Sequence, residues 1–99
     1  MYNMTINDFA KEVESKWSKI LDYKHNKDLP NYAIEVHSLK SDSKYLGFMK
    51  LADIAYEHEL KSKDGDIDYV NNHFVELNNE YEKILEIVKN YVSQNKTEE

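Results

Sequence analysis

Residues 67–91 read IDYVNNHFVELNNEYEKILEIVKNY. Ile67, Val70, Phe74, Leu77, Tyr81, Ile84, Val88 and Tyr91 recur at steps of three and four without a miss. That repeat puts them on one side of a helix. The residues between them are mostly Asn, Asp, Glu and Lys. A single apolar stripe on so long a helix is a bundle seam, and it needs other helices to cover it. The stretch predicts a helix over about 66–92. The tail, Ser93–Glu99, is polar and is expected to fray.

The covering helices can be read upstream. Thr5-Ile6-Asn7-Asp8 is a helix start, with Thr5 able to cap the Asp8 amide and Asp8 able to reach back to the Thr5 amide. Met4 and Phe9 are spaced for a hydrophobic staple across that start. Ile6, Phe9, Val13, Trp17, Ile20 and Leu21 then form a stripe, which predicts a helix over about 5–22. Lys24-His25-Asn26-Lys27 is a polar break that leaves His25 in a loop. A second helix begins near Asp28, with Pro30 acceptable in its first turn, and stops at Gly47. A third covers about 48–62, with Leu51, Ile54, Ala55 and His58 inward. Asp64-Gly65-Asp66 supplies the next turn and cap. Four amphipathic helices with short connections predict an antiparallel four-helix bundle, occupying residues 1–92 as one domain.

Composition narrows the function. The chain has 99 residues and no Cys, which excludes disulfides, zinc-thiolate sites and thiol catalysis. Its formal net charge of -6 argues against nucleic acid as a partner. All 13 basic residues are Lys, so there is no bidentate arginine clamp for phosphate. No apolar run approaches the ~20 residues of a membrane span, and no signal-peptide pattern is present. A cytoplasmic location is the simplest expectation.

The stretch with the most chemistry runs from Glu35 to Gly47. Tyr32, Val36, Leu39, Ser43 and Leu46 make its core stripe. His37 lies beside that stripe and shares its face with Ala33, Lys40, Ser41 and Lys44. The helix thus presents an imidazole outward, between small residues and two ammonium groups. A neutral imidazole can accept a phosphoryl group through a ring-nitrogen lone pair, and histidine's reference pKa of ~6.5 leaves it mostly neutral at pH 7. Lys40 and Lys44, three and seven residues on, can attract the incoming anion.

This stretch resembles the signature of histidine-containing phosphotransfer (HPt) domains. Leu39, Lys40, Ser43, Leu46 and Gly47 stand in register with His37 as that family's pattern requires. The likeness continues through Leu51, Ala55 and Glu59 and covers roughly residues 30–92 in hydrophobic pattern. Two positions depart from it. Ser41 stands where the family usually has Gly, which narrows the space beside the imidazole. Asp42 replaces a small residue and brings a negative charge near a site for an anion.

The resemblance implies a four-helix bundle that acts as a carrier rather than an enzyme. His37 would be the phosphoacceptor. Lys40, Ser41, Lys44 and Ala33 would form the phosphoryl environment and receiver-docking face, and Leu39, Ser43, Leu46 and Gly47 the structural motif. It implies as partners a response-regulator receiver domain, whose aspartate gives or takes the phosphate, and a hybrid histidine kinase. The Mg²⁺ would belong to the receiver, with no cofactor in this chain.

Each of these residues has a plainer reading. Alone, His37 is an ordinary exposed helix histidine, and only the register of its neighbours favours chemistry. Lys40 and Lys44 are otherwise solvated surface lysines. Ser41 and Ser43 have no base placed to activate them and are steric or packing residues. His58 reads as a satisfied core or boundary histidine, and His73 as a seam-edge residue. Neither Glu-x-x-His nor His-Glu-x-x-His occurs, so no metal site is expected. Two competing functions share the fold: an HPt-like adaptor that is never phosphorylated, and a helical association module built on the last helix.

Overall fold

The computed structural model describes residues 5–96, the side chains of 94–96 excepted. Four helices follow one another: α1 (Ile6–His25), α2 (Leu29–Tyr45), α3 (Met49–Lys63) and α4 (Ile67–Lys96). No strand occurs among the described residues. They pack as an all-α four-helix bundle in which each helix meets its chain neighbours, α1 closes against α4, and α1 and α3 lie diagonally. Consecutive helices are antiparallel. Lys16 of α1 meets Ser38 and Asp42 of α2, while Lys50 near the start of α3 meets Glu80 in mid-α4.

The start of α1 is the expected capping box. Asp8 N–H donates to Thr5 Oγ1 at 3.1 Å, and Thr5 N–H donates to the Asp8 carboxylate at 3.2 Å. Met4, the other half of the expected staple, lies outside the described residues. Asp28 caps α2 through the Asn31 amide, with Pro30 in the first turn. Asp66 accepts from the Tyr69 amide at the start of α4.

All three connections use one device. The helix ends, a single residue turns left-handed, and the next amide bonds back to a carbonyl of the last turn. That residue is Gly47 (φ +89) after α2 and Gly65 (φ +76) after α3. After α1 it is Lys27, at φ 59, with Asp28 N–H reaching the Tyr23 carbonyl at 2.8 Å. The polar break is therefore shorter than expected, and His25 ends α1 rather than lying in a loop. Lys24 and His25 suit the last turn because cations favour a helix C-terminus.

The core is the union of the stripes. Phe9, Val13, Trp17 and Ile20 of α1 meet Tyr32, Val36 and Leu39 of α2, Leu51 and Ala55 of α3, and Val70, Leu77, Tyr81, Ile84 and Val88 of α4. Trp17 stacks on Tyr81 at 4.0 Å and on Phe74 at 5.5 Å. Burial first, then the carboxylates of Glu14 and Glu82, push the Tyr81 phenol up to about 12. Two stripe residues are exposed instead, Leu21 and Tyr91. Leu21 sits at the stripe's edge, where Ile20 takes the core position. Tyr91 lies on the part of α4 that runs beyond α3. With 30 residues, α4 spans ~45 Å, close to the 47 Å long axis of the whole molecule. It also runs past the expected end at 92, since no Gly or Pro stops it and Val92 still packs on the core. Of the tail expected to fray, residues 93–96 are helical and 97–99 lie outside the described residues.

Lys27 gives a simple stability test. A left-handed non-glycine residue costs roughly 1–2 kcal/mol, while glycine adds roughly 0.5–1 kcal/mol of unfolded-state entropy. Lys27→Gly is therefore expected to stabilise the bundle by about 0.5–1 kcal/mol, raising the midpoint of a thermal melt by a few degrees. Gly47→Ala is expected to lower it.

Candidate functional site

His37 sits where α2 and α3 lie against each other. Small buried residues, Ala33 on α2 and Ala52, Ala55 and Ser62 on α3, let these two helices approach closely. That approach brings Glu59 of α3 beneath His37. The Glu59 side chain is 4% exposed, and the imidazole above it is 54% exposed. His37 Nδ1 lies 2.9 Å from Glu59 Oε2. A carboxylate oxygen can only accept, so Nδ1 carries the proton and donates. In the neutral ring the lone pair then belongs to Nε2, which has no hydrogen-bond partner among the described residues. The structure therefore holds His37 in one tautomer, its Nε2 lone pair unengaged on a half-exposed ring.

Two lysines complete the cluster. Lys63 Nζ is 2.8 Å from the same Glu59 oxygen that His37 uses. Lys40 Nζ is 3.5 Å from the other oxygen, an ion pair without a hydrogen bond, and 5.0 Å above the Tyr56 ring. Burial raises the Glu59 carboxyl, but hydrogen bonds from Lys63 and His37 and the charge of Lys40 outweigh it. The net effect holds the group below its usual range. Two ammonium groups against one carboxylate leave the site with a positive balance facing solvent. An open groove of about 460 Å³ adjoins the imidazole, lined by Pro30, Ala33, Ile34, His37, Glu59, Ser62 and Lys63. Ile34 is exposed and Ala33 forms part of the buried lining.

The expected residues divide accordingly. His37, Lys40 and Ala33 come together. Ser41 is exposed one turn after His37 on the outer face of α2. Lys44 lines a second groove, with Lys40, Met49, Ala52, Asp53 and Tyr56, and not the groove that contains His37. Leu39 and Ser43 are buried in the core stripe, Leu46 is partly buried against it, and Gly47 makes the turn. Asp42 does not oppose an anion at His37. It faces α1, where Lys16 meets it at 2.7 Å and also donates to Ser38 at 2.8 Å.

Glu59 and Lys63 were given no site role by the sequence reading. Glu59 was visible only as one residue in register with the third helix, and its spacing from His37 carries no local signal. Among the described residues no group of three or more His, Asp or Glu is arranged to hold a metal ion. No described helix is long and apolar enough to cross a membrane. Comparison with protein-family models, characterised proteins and solved structures finds no match.

Glu59 makes two measurable contributions. Its lowered pKa gives stability that is present above the unfolded value of ~4.3 and is lost as pH falls through the folded value. Glu59→Gln is expected to cost roughly 1–3 kcal/mol at pH 7 and to flatten the acid-unfolding curve below about pH 4. Nitrogen NMR at pH 8 is expected to find His37 protonated on Nδ1 in the parent. In the Gln variant the ring should move toward a mixture of tautomers.

Proposed function

We propose that the chain is a histidine phosphotransfer module of a two-component phosphorelay, carrying a phosphoryl group on His37 to and from receiver-domain aspartates. The observation that carries this reading is the His37–Glu59 hydrogen bond, which puts the proton on Nδ1 and leaves Nε2 of a half-exposed ring unprotonated, with Lys40 and Lys63 paired to the same carboxylate. The HPt-like register from His37 to Gly47 supports it independently.

The chemistry follows from that geometry. Nε2 attacks the phosphorus of an aspartyl phosphate, the phosphorus–oxygen bond breaks, and the aspartate leaves as carboxylate. Nε2 has no proton to shed, so no base is needed. The attack puts positive charge on the ring, and the Glu59 carboxylate sits 2.9 Å from Nδ1 to stabilise it. Lys40 and Lys63 face the phosphoryl oxygens as counter-charges. The receiver supplies the Mg²⁺ and most of the catalytic groups, so this chain is a carrier and not an enzyme. Small side chains at Ala33 and Ser41 leave the receiver room to dock. A receiver and a hybrid histidine kinase are the proposed partners, in the cytoplasm.

Phosphoramidate, and receiver domains charged with acetyl phosphate, test the reading. The parent protein is expected to take up an acid-labile label. His37→Gln should keep the helical circular-dichroism spectrum and lose the label completely. Lys40→Ala should slow transfer by about tenfold or less, because a partly screened contact of ~1 kcal/mol is at stake. Receiver binding with no label at His37 would favour the unphosphorylated adaptor instead.

A further inference from the structure

His58 is the histidine that the bundle encloses most completely. It is 1% exposed and its two ring nitrogens reach two other helices. Nε2 lies 3.2 Å from the His73 carbonyl of α4, and Nδ1 lies 2.9 Å from the Tyr32 hydroxyl of α2. The carbonyl can only accept, so Nε2 bears the proton. A neutral ring then offers its Nδ1 lone pair to the Tyr32 hydroxyl. All the polar atoms are satisfied in that one protonation state.

We propose that His58 is a proton-operated latch: the neutral imidazole ties α2 to α4 through Tyr32 and the His73 carbonyl, and mild acid releases it, loosening the helix that carries His37. A second proton on the ring would face the Tyr32 hydroxyl with a donor. Tyr32 could turn to accept, but its fully buried hydroxyl would then give up the one hydrogen bond it donates among the described residues. Tyr32 stands five residues before His37 on the same helix.

Beyond the His73 carbonyl, no carboxylate among the described residues is paired with the His58 ring. On α4, the Tyr69 and Phe74 rings meet His58 edge-on, and His73 is stacked on Tyr69 and bonded to Glu76 at the surface. On α3 itself, Glu57 is exposed, Ser62 donates to the His58 carbonyl, and Glu59 is already engaged by His37, Lys40 and Lys63. Lys61 lies over the Tyr69 ring, and Lys24 of α1 lies over Phe74. Burial therefore dominates and lowers the His58 pKa. The His73 carbonyl pulls the other way, a charged His73 lowers it further, and Glu76 and Glu57 raise it from a distance.

The sign follows. The unfolded chain takes up the proton near ~6.5 and the folded chain only at lower pH. Stability from the latch is complete above that value and is lost as pH falls below it. The test is urea unfolding of the whole chain at pH 7.5, 6.5 and 5.5. The parent's unfolding constant is expected to rise by up to about tenfold per pH unit below 6.5. His25→Gln and His73→Gln should keep that response, and His58→Leu should remove it. If the Leu variant does not fold, proton NMR of the parent decides, with His58 expected to titrate below the other histidines. A parent equally stable at pH 7.5 and 5.5, a Leu variant that keeps the full response, or a His58 titrating near 6.5 would overturn the latch. The readout is unfolding and not phosphate transfer, so the latch and the phosphocarrier reading can fail separately.

Discussion

A carboxylate buried between two helices is the constraint from which the candidate site follows. Glu59 cannot stay ionised at 4% exposure without partners, and burying a charge unpaired is costly. Its partners come from both sides of the helix pair: His37 and Lys40 from α2, and Lys63 from one turn further along α3. Satisfying the carboxylate therefore sets how α2 and α3 align at this level. The same contact sets which nitrogen of His37 holds the proton. Fold and chemistry share one hydrogen bond, and a substitution that frees the ring also strands a charge.

Residues 58 and 59 divide the polar work of α3. Successive helix positions are turned by about a quarter of the circumference, so one residue points into the core and its neighbour toward α2. His58 faces Tyr32 and α4, inside the apolar cluster, while Glu59 faces the groove beside His37. Both reach α2, at Tyr32 and at His37. The helix that presents the imidazole is thus held at two polar points with different protonation demands, in addition to its apolar stripe.

Much of this could be read in the sequence, for identifiable reasons. The step pattern of α4, the Thr5–Asp8 capping box and the left-handed stop at Gly47 are local signals, set within a few residues of each other. The stripe from Tyr32 to Ser43 and the outward position of His37 follow from the same periodicity. Lys27 was missed as a left-handed residue because a lysine carries no signal for that conformation. The exposure of Tyr91 was missed because the stripe was read as covered along its whole length, although the third helix, already legible as much shorter, stops short of Tyr91. The partners of Glu59 and Asp42 were missed because they are matters of tertiary register. Glu59 finds His37 at a separation of 22 residues, and Lys16 finds Asp42 at 26. Asp42 looked like a charge set against an anion, and its pairing with α1 removes that objection.

The most direct test of the central claim is to ask whether a ring nitrogen of this chain takes up phosphate, and which one. Uniformly ¹⁵N-labelled protein, treated with phosphoramidate, can be analysed by nitrogen–phosphorus coupling. The account predicts one phosphorylated ring, His37, with phosphorus on Nε2 and the proton retained on Nδ1. Phosphorus on Nδ1, or on His25, His58 or His73, would contradict it.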